Sequence, residues 1–243
     1  MKKHSLILLS IASGFLFACG GGTNQQQTAQ SDTTQTATEQ ALKLPAPDEK
    51  SSKNNFSKVI DWPKDKMPTA PEGFVVSKFA DQMKSQRNIV VAPNGDILVV
   101  LSNSERSVVE QAANAISGKA KSEVSGKSVN TILLLRDADK DGKPELITTF
   151  LAGLNQPYGV AFINNSFYVA NTDGLWQFPY QPGDTEITKP GKKIVELPAG
   201  GYNNHWTRNL LVNAAKSKIY ISVGSGSNVG ENGMEHEVRR AAI

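Results

Sequence analysis

The sequence predicts an all-β fold of the β-propeller type, and three observations support this fold class. Three segments resemble one another in having an apolar strand, a short polar turn and a second strand; they are residues 88–102, 158–172 and 209–225. Further strand-like runs lie between these hairpins, and glycine and proline are spread through the chain. A hairpin that recurs with two more strands between its copies is typical of propeller blades. The alternative is an irregular β-sandwich.

The number of repeats predicts only part of a propeller. The pattern supplies about three blades, whereas a closed propeller needs four or more. Residues 239–243 have the pattern of a strand interrupted in its middle. We therefore expect this chain to be the N-terminal portion of a longer protein.

Turn residues and apolar runs define the individual elements. Asn94-Gly95 and Asn164-Asn165 are typical hairpin turns. Ser107 to Ala115 is rich in alanine, glutamate and glutamine and predicts the one helix, inside an insertion that runs to Val129. Four further strands are expected at residues 131–137, 146–152, 174–179 and 193–198.

The first 18 residues have the pattern of a secretory leader. Lys2 and Lys3 precede an apolar run that is too short for a stable membrane span. The run ends at Cys19, the only cysteine of the chain, so residues 1–18 resemble a bacterial lipoprotein signal peptide. We expect lipidation of Cys19 and, because Gly20 follows it, an outer-membrane anchor on the periplasmic side of the cell envelope. The alternative is an ordinary secretory signal with an incidental cysteine.

Composition separates a tether from the globular domain. Residues 19–55 contain glutamine, threonine, serine and lysine with almost no large apolar side chain, which predicts a disordered linker. The propeller domain is then expected at residues 56–243. The net charge of +3 includes the two leader lysines, so no strongly basic surface for nucleic acid is expected.

His205 is the candidate catalytic residue. It lies in a segment of glycines, amides, an indole and a guanidinium at residues 200–210, directly before a repeat strand. Loops at that position of a propeller face the central channel, and imidazole is the side chain best suited to accept a proton near neutral pH. The alternative is a structural histidine, and Trp206 beside it could stack on a ligand or simply pack.

This segment resembles the sorbosone dehydrogenase group, which is related to soluble quinoprotein glucose dehydrogenase. The specific part of the resemblance is Gly-Gly-Tyr-Asn-Asn-His-Trp-Thr-Arg-Asn-Leu at residues 200–210. Residues 154–162, 168–172 and 219–233 fit the same group, and the resemblance covers residues 73–243.

The resemblance implies a six-bladed propeller that binds pyrroloquinoline quinone (PQQ) and calcium and oxidises sugar hydroxyls or aldehydes. In that family the histidine matching His205 takes the substrate proton while hydride passes to the quinone. The candidate cofactor-binding residues are Asn204, Trp206, Arg208, Asn209 and Asn228. The family's later Arg-Asn-Pro segment has no counterpart in this sequence, and Arg208-Asn209 is not that segment, because Leu210 follows Asn209. The alternative function is therefore an inactive, truncated propeller lipoprotein that serves as a binding or scaffold module.

An acidic loop is a separate candidate metal site. Carboxylates at Asp137, Asp139, Asp141 and Glu145 surround Gly142, in a spacing that suits a hard cation such as calcium. Thr148 stands at the twelfth position, so the loop is not an EF-hand. The alternative is a solvated turn, since aspartate and glycine favour turns without any metal.

Overall fold

The computed structural model describes residues 55–63, 66–124 and 126–243, and these form three antiparallel sheets. The first sheet has the order β1-β2-β3-β4, the second has the order β5-β6-β7-β8, and β9 pairs with β10. The strands are β1 Gln86–Val91, β2 Ile97–Leu101, β3 Thr131–Arg136, β4 Leu146–Leu151, β5 Val160–Ile163, β6 Ser166–Asn171, β7 Gly174–Pro179, β8 Lys192–Glu196, β9 Arg208–Val212 and β10 Ile219–Val223. Each four-stranded meander has the strand order of a propeller blade.

The two four-stranded sheets share one apolar core. Leu98 and Val100 of β2 and Phe150 of β4 belong to the same buried cluster as Phe167 and Val169 of β6. The Phe150 and Phe167 rings meet edge to face with centroids 5.2 Å apart, an arrangement that aromatic pairs prefer. The sheets therefore pack face to face, as neighbouring blades do.

A close backbone contact joins the third hairpin to the second sheet. The Gly159 N–H donates to the Arg208 carbonyl oxygen at 2.9 Å. A Cβ atom at Gly159 would lie 2.6 Å from the Leu210 nitrogen, closer than real Cβ atoms approach. Glycine at this position is what allows β5 to run against β9.

Antiparallel order puts alternate connections at opposite ends of the sheets. We call the connections at residues 102–130, 152–159, 172–173 and 197–207 the loop end. Two hydrogen bonds tie this end together: Gln156 Nε2 donates to the Asn103 carbonyl at 2.9 Å, and Asn203 Nδ2 donates to Thr172 Oγ1 at 2.8 Å.

The turn end is the opposite end, with residues 92–96, 137–145, 164–165, 180–191 and 213–218. Arg136 makes two hydrogen bonds to Asp96, at 2.7 and 2.6 Å, and a third to the Gly183 carbonyl at 3.1 Å. Its guanidinium holds the pKa of the Asp96 carboxyl below its usual value. The ion pair lies within the first sheet, and the bond to Gly183 connects it to the turn between β7 and β8 of the second sheet.

The helix α1, Val108–Ser117, lies in the insertion between β2 and β3 as the sequence predicts. It starts at a capping box, in which the Ser107 side chain accepts from the Glu110 N–H and Glu110 reaches back to Ser107. Its C-terminus is closed by Gly118 at φ 77°, a left-handed conformation that glycine adopts without strain. Two short 3₁₀ turns, Lys119–Ser122 and Met234–Glu237, complete the structure.

The predicted all-β, antiparallel fold is confirmed, and every predicted strand except the last is present. Residues 239–243 are not a strand, because only Ala242 pairs, in a single bridge to Val223. The number of blades stays a prediction. The leader, Cys19 and the tether lie outside the described residues. Within the described part of the chain, no helix has the length and apolar character needed to cross a membrane.

Candidate functional site

His205 lies at the loop end, three residues before β9. Its side chain is exposed, whereas Trp206 and Arg208 on either side of Thr207 are buried. The loop is therefore anchored by residues that point inward, while the imidazole stays accessible to a ligand.

Two acceptors fix the tautomer of His205. Its Nδ1 lies 3.1 Å from the Ser225 carbonyl oxygen and 2.8 Å from Ser225 Oγ. The Ser225 hydroxyl donates its own hydrogen to the Ser227 carbonyl at 2.7 Å, so Oγ is an acceptor toward the ring. Nδ1 must then carry the proton, and Nε2 keeps its lone pair. No described residue hydrogen-bonds to Nε2.

A carboxylate holds the segment that contacts the imidazole. Glu237 accepts hydrogen bonds from the Gly226 N–H at 2.7 Å, the Ser227 N–H at 3.1 Å and the Ser227 hydroxyl at 2.8 Å. The Gly226 N–H is the main reason that the pKa of Glu237 lies below its usual value. The carboxylate thereby fixes residues 225–227 in the conformation that places Ser225 against His205.

Gly224, directly after β10, allows the backbone to pass very close to His205. A Cβ atom at this position would lie 2.5 Å from both the Cβ atom and the carbonyl oxygen of His205. Any larger residue must displace the histidine or the strand.

Two buried arginines, Arg208 and Arg240, hold the His205 loop in place. Arg208 is fully buried, and its terminal nitrogens donate to the carbonyls of His205 and Pro198, both at 2.8 Å. Asn203 Oδ1 accepts from both Arg208, at 3.0 Å, and Arg240, at 2.8 Å. Burial first, and the neighbouring charge of Arg240 second, lower the pKa of Arg208 to about 10, so it stays charged at neutral pH.

Trp206 links the His205 loop to the first sheet. Its Nε1 donates to Ser104 Oγ at 2.9 Å, and only 5% of the residue is exposed. The Arg87 guanidinium covers the ring at 5.2 Å from its centroid. Trp206 therefore packs within the structure, which is one of the two roles that the sequence left open for it.

Three of the predicted cofactor-binding residues, Asn204, Asn209 and Asn228, are exposed. Asn204 donates its backbone N–H to the Gly226 carbonyl at 3.0 Å, and the Asn209 side chain accepts from the Leu210 N–H at 3.0 Å. The Asn228 N–H points to Glu231 at 3.4 Å. Cofactor contacts by these residues, by Trp206 and by Arg208 stay predictions.

The structure brings together the four acidic side chains predicted to bind a metal. Ligand oxygens of Asp137, Asp139, Asp141 and Glu145 all lie within 4.8 Å of one another. The loop belongs to the turn end, since it joins β3 to β4, and His205 lies at the loop end. A cation at this loop would be structural and separate from the chemistry at His205.

The sequence did not single out several residues that hold the site together. Ser225 closes the third repeat and was visible as part of the resemblance, but nothing indicated its contact with His205. The contacts of Arg240 and Ser104 join segments 37 and 102 residues apart, and no local pattern could reveal them. Glu237 lies only 10 residues after Ser227, but no sequence pattern marked its contacts.

Residues 68–243 match the model of the TrAA12-like family. The chain belongs to the TrAA12-like family. This match agrees with the family resemblance that the residues around His205 indicated.

Solved structures with similarity to this chain include two fungal proteins. The PQQ domain of pyranose dehydrogenase from Coprinopsis cinerea is 16% identical over 66% of this chain and 33% of that chain, with a TM-score of 0.47. A calcium structure of a carbohydrate-active enzyme of family AA12 from Trichoderma reesei is 16% identical over 69% of this chain and 37% of that chain, with a TM-score of 0.48. This chain thus spans only 33% and 37% of the lengths of these two chains. No curated protein matches it significantly.

Proposed function

We propose that this TrAA12-like chain carries the catalytic base of a PQQ-dependent dehydrogenase that oxidises a sugar hydroxyl or aldehyde. One observation carries the proposal: His205 presents an accessible Nε2 lone pair while both neighbours of Nδ1 are acceptors. Family membership supports the class of reaction.

The donors at the loop end suit a planar cofactor rich in carboxylate and carbonyl oxygens. Asn204 and Asn228 are exposed amides close to the His205 loop or to the segment that holds it. Amide and backbone N–H groups bind such oxygens well. PQQ, when bound, supplies the hydride acceptor. Trp206 and Arg208 would support the loop that carries the base, and we propose calcium as the accompanying metal.

The chain's own contribution is proton transfer at a fixed nitrogen. The Ser225 carbonyl and hydroxyl oxygens hold the Nδ1 proton, so Nε2 can accept the proton of a substrate hydroxyl group. Once the ring is cationic, the same two oxygens stabilise it, because hydrogen bonds from a charged donor are stronger. The buried arginines and Glu237 keep the ring in place and reduce the reorganisation needed for the transfer.

The test is dye-coupled oxidation by the intact protein with added PQQ and calcium, using D-glucose, D-galactose, D-xylose and L-sorbosone. We expect His205→Ala to lower kcat by about a hundred- to ten-thousandfold, the usual contribution of a general base. PQQ affinity should largely survive. Lys218→Ala is the control, because Lys218 is exposed and lies at the turn end, away from His205.

Unimpaired turnover by His205→Ala would show that His205 is not the base. If the wild-type protein oxidises none of these sugars, the dehydrogenase proposal fails and the binding or scaffold module is favoured.

We also propose that the protein is lipid-anchored through Cys19 at the cell envelope, facing the periplasm. The lipobox-like leader and the polar tether behind it support this location.

A further inference from the structure

A β-bulge at the start of β1 sets the direction of Arg87. Gln86 pairs with Leu101 and Asn88 pairs with Val100, so Arg87 is the extra residue between them. A bulged residue leaves the regular alternation of the strand, and bulges beside functional sites often redirect a side chain in this way. Strand β1 starts at the loop end, so the bulge lies at the same end as His205.

The redirected guanidinium lies over Trp206, the residue that follows His205. The distance from the Arg87 guanidinium carbon to the ring centroid is 5.2 Å, within the range of a cation–π interaction. Trp206 is itself fixed by its hydrogen bond to Ser104. The ring therefore acts as a rigid support that holds the charge of Arg87 over the residue adjacent to His205.

Arg87 has no acidic partner in the described part of the chain. Arg106, Arg136 and Lys193 each form an ion pair, with Glu123, Asp96 and Asp173 respectively. Arg87 is exposed, and no described carboxylate lies within 4.0 Å of its guanidinium. The guanidinium keeps donors free for a ligand while one face rests on the indole.

We propose that Arg87 binds a carboxylate of the anionic cofactor held beside His205. This inference rests on the proposed function, and it adds a ligand-binding residue that the sequence pattern around His205 did not reveal. Arginine is suited to the role because its planar fork can donate two parallel hydrogen bonds to one carboxylate. The opposing explanation is that Arg87 only covers Trp206.

Two substitutions separate the explanations. Arg87→Met keeps an apolar cover over the indole and removes the charge, whereas Arg87→Lys keeps the charge and loses the fork. Lys218→Gln is the control, because it removes one exposed positive charge at the turn end. The measurement is the Kd of the intact protein for PQQ and for its uncharged trimethyl ester, by calorimetry, with the melting temperature of each variant recorded.

Arg87→Met should raise the Kd for PQQ by about ten- to a hundredfold, the usual effect of losing a hydrogen bond to a charged group. Its Kd for the ester should not change. Arg87→Lys should give an intermediate Kd for PQQ, and Lys218→Gln should bind as the wild type does.

A wild-type Kd for PQQ in Arg87→Met would overturn the role of Arg87 while leaving the proposed function intact. An equal loss of affinity for PQQ and the ester, together with a lower melting temperature, would also overturn it and assign a packing role. Failure of the wild-type protein to bind PQQ would overturn the proposed function and this inference with it.

Discussion

Contacts from three parts of the chain position His205. Ser225 follows β10 and accepts from Nδ1, Arg208 begins β9 and binds the His205 carbonyl, and Ser104 in the insertion holds Trp206. A base held in this way needs little rearrangement before it accepts a proton. The proposed chemistry therefore depends on residues that never touch the substrate.

Gly224→Ala tests the close approach beneath the histidine. The new methyl group would lie 2.5 Å from the His205 Cβ atom, so the ring must move away from Ser225. We expect a fall in kcat and a loss of stability of about 1–3 kcal/mol, the usual cost of overpacking. The measurements are turnover and urea unfolding of the intact protein.

Gly200→Ala is the matched control for that substitution. A Cβ atom at Gly200 meets nothing within 4 Å, so activity and stability should stay close to those of the wild type. Equal behaviour of the two variants would contradict the account of Gly224.

Glu237→Gln tests the carboxylate that fixes residues 225–227. The pKa of Glu237 is depressed in the folded state, so the carboxylate stabilises the fold at neutral pH, and this stability is lost as the pH falls through the folded pKa. The variant should be less stable than the wild type at neutral pH, and the difference should shrink at acidic pH. Urea unfolding at neutral pH and at about pH 4 measures both effects.

Glu186→Gln serves as the control for Glu237, because Glu186 is exposed at the turn end and no described residue hydrogen-bonds to its side chain. It should unfold like the wild type at both pH values. A pH-independent difference between Glu237→Gln and the wild type would show that the charge of Glu237 is not the cause.

At the level of single residues, the sequence could single out His205 as a candidate but could not predict the contacts around it. The histidine stood out because polar and aromatic residues surround it directly before a repeat strand. The contact of Arg87 with Trp206 forms only when distant segments meet. Those of Ser225 and Glu237 span shorter stretches of chain but follow no recognisable sequence pattern. Trp206 could not be assigned from its neighbours alone, since its partner Ser104 is 102 residues away.

At the level of elements, the two ends of the sheets carry different groups of side chains. Long connections at the loop end carry His205, Trp206 and the helical insertion, while tighter connections at the turn end carry the acidic loop and the Arg136–Asp96 pair. This separation follows from antiparallel strand order, which sends successive connections to opposite ends.

The acidic loop is expected to bind calcium as a structural ion. Added calcium should raise the melting temperature of the intact protein by a few degrees, because a ligand that binds only the folded state stabilises it. Asp139→Ala should remove this increase, since Asp139 is one of the clustered carboxylates. Glu186→Ala, at an exposed acid of the turn end outside the cluster, should retain it.

Calcium that leaves the melting temperature of the wild type unchanged would identify the loop as a turn without metal. The backbone N–H groups of Asp141 and Gly142 already donate to Asp137, which is sufficient to hold such a turn.

Most elements were predictable because their signals are local. Apolar runs bounded by turn residues marked the strands, and the alanine, glutamate and glutamine of residues 107–115 marked the helix. The mistaken strand at residues 239–243 shows the limit of this approach. There the chain forms one bridge at Ala242, and the Arg240 side chain hydrogen-bonds to Asn203 and to the Gly200 carbonyl. These partners lie far away in the sequence, so the local pattern could not predict the conformation.

At the level of the whole molecule, one core unites the two four-stranded sheets and the third hairpin is attached through Gly159. The hairpin exposes apolar surface, with Leu211 67% and Tyr220 44% exposed. The repeated antiparallel hairpins are consistent with the predicted propeller, and the family match covers the same part of the chain.

Lipidation of Cys19 is the prediction for the chain's place in the cell. Cells grown with a clickable fatty-acid analogue should label the wild-type protein, which should sediment with membranes. Cys19→Ala should lose the label. Equal labelling of the two proteins would contradict lipidation at this residue.

The central claim is that Nε2 of His205 accepts the substrate proton in a PQQ-dependent oxidation. Its most direct measurement is the single-turnover rate at which bound PQQ changes absorbance when the loaded intact protein is mixed with a sugar that supports steady-state turnover. His205→Gln should keep the PQQ affinity of the wild type within a few-fold but slow this rate by about a hundredfold or more. A rate equal to that of the wild type, with PQQ bound in both proteins, would contradict the claim.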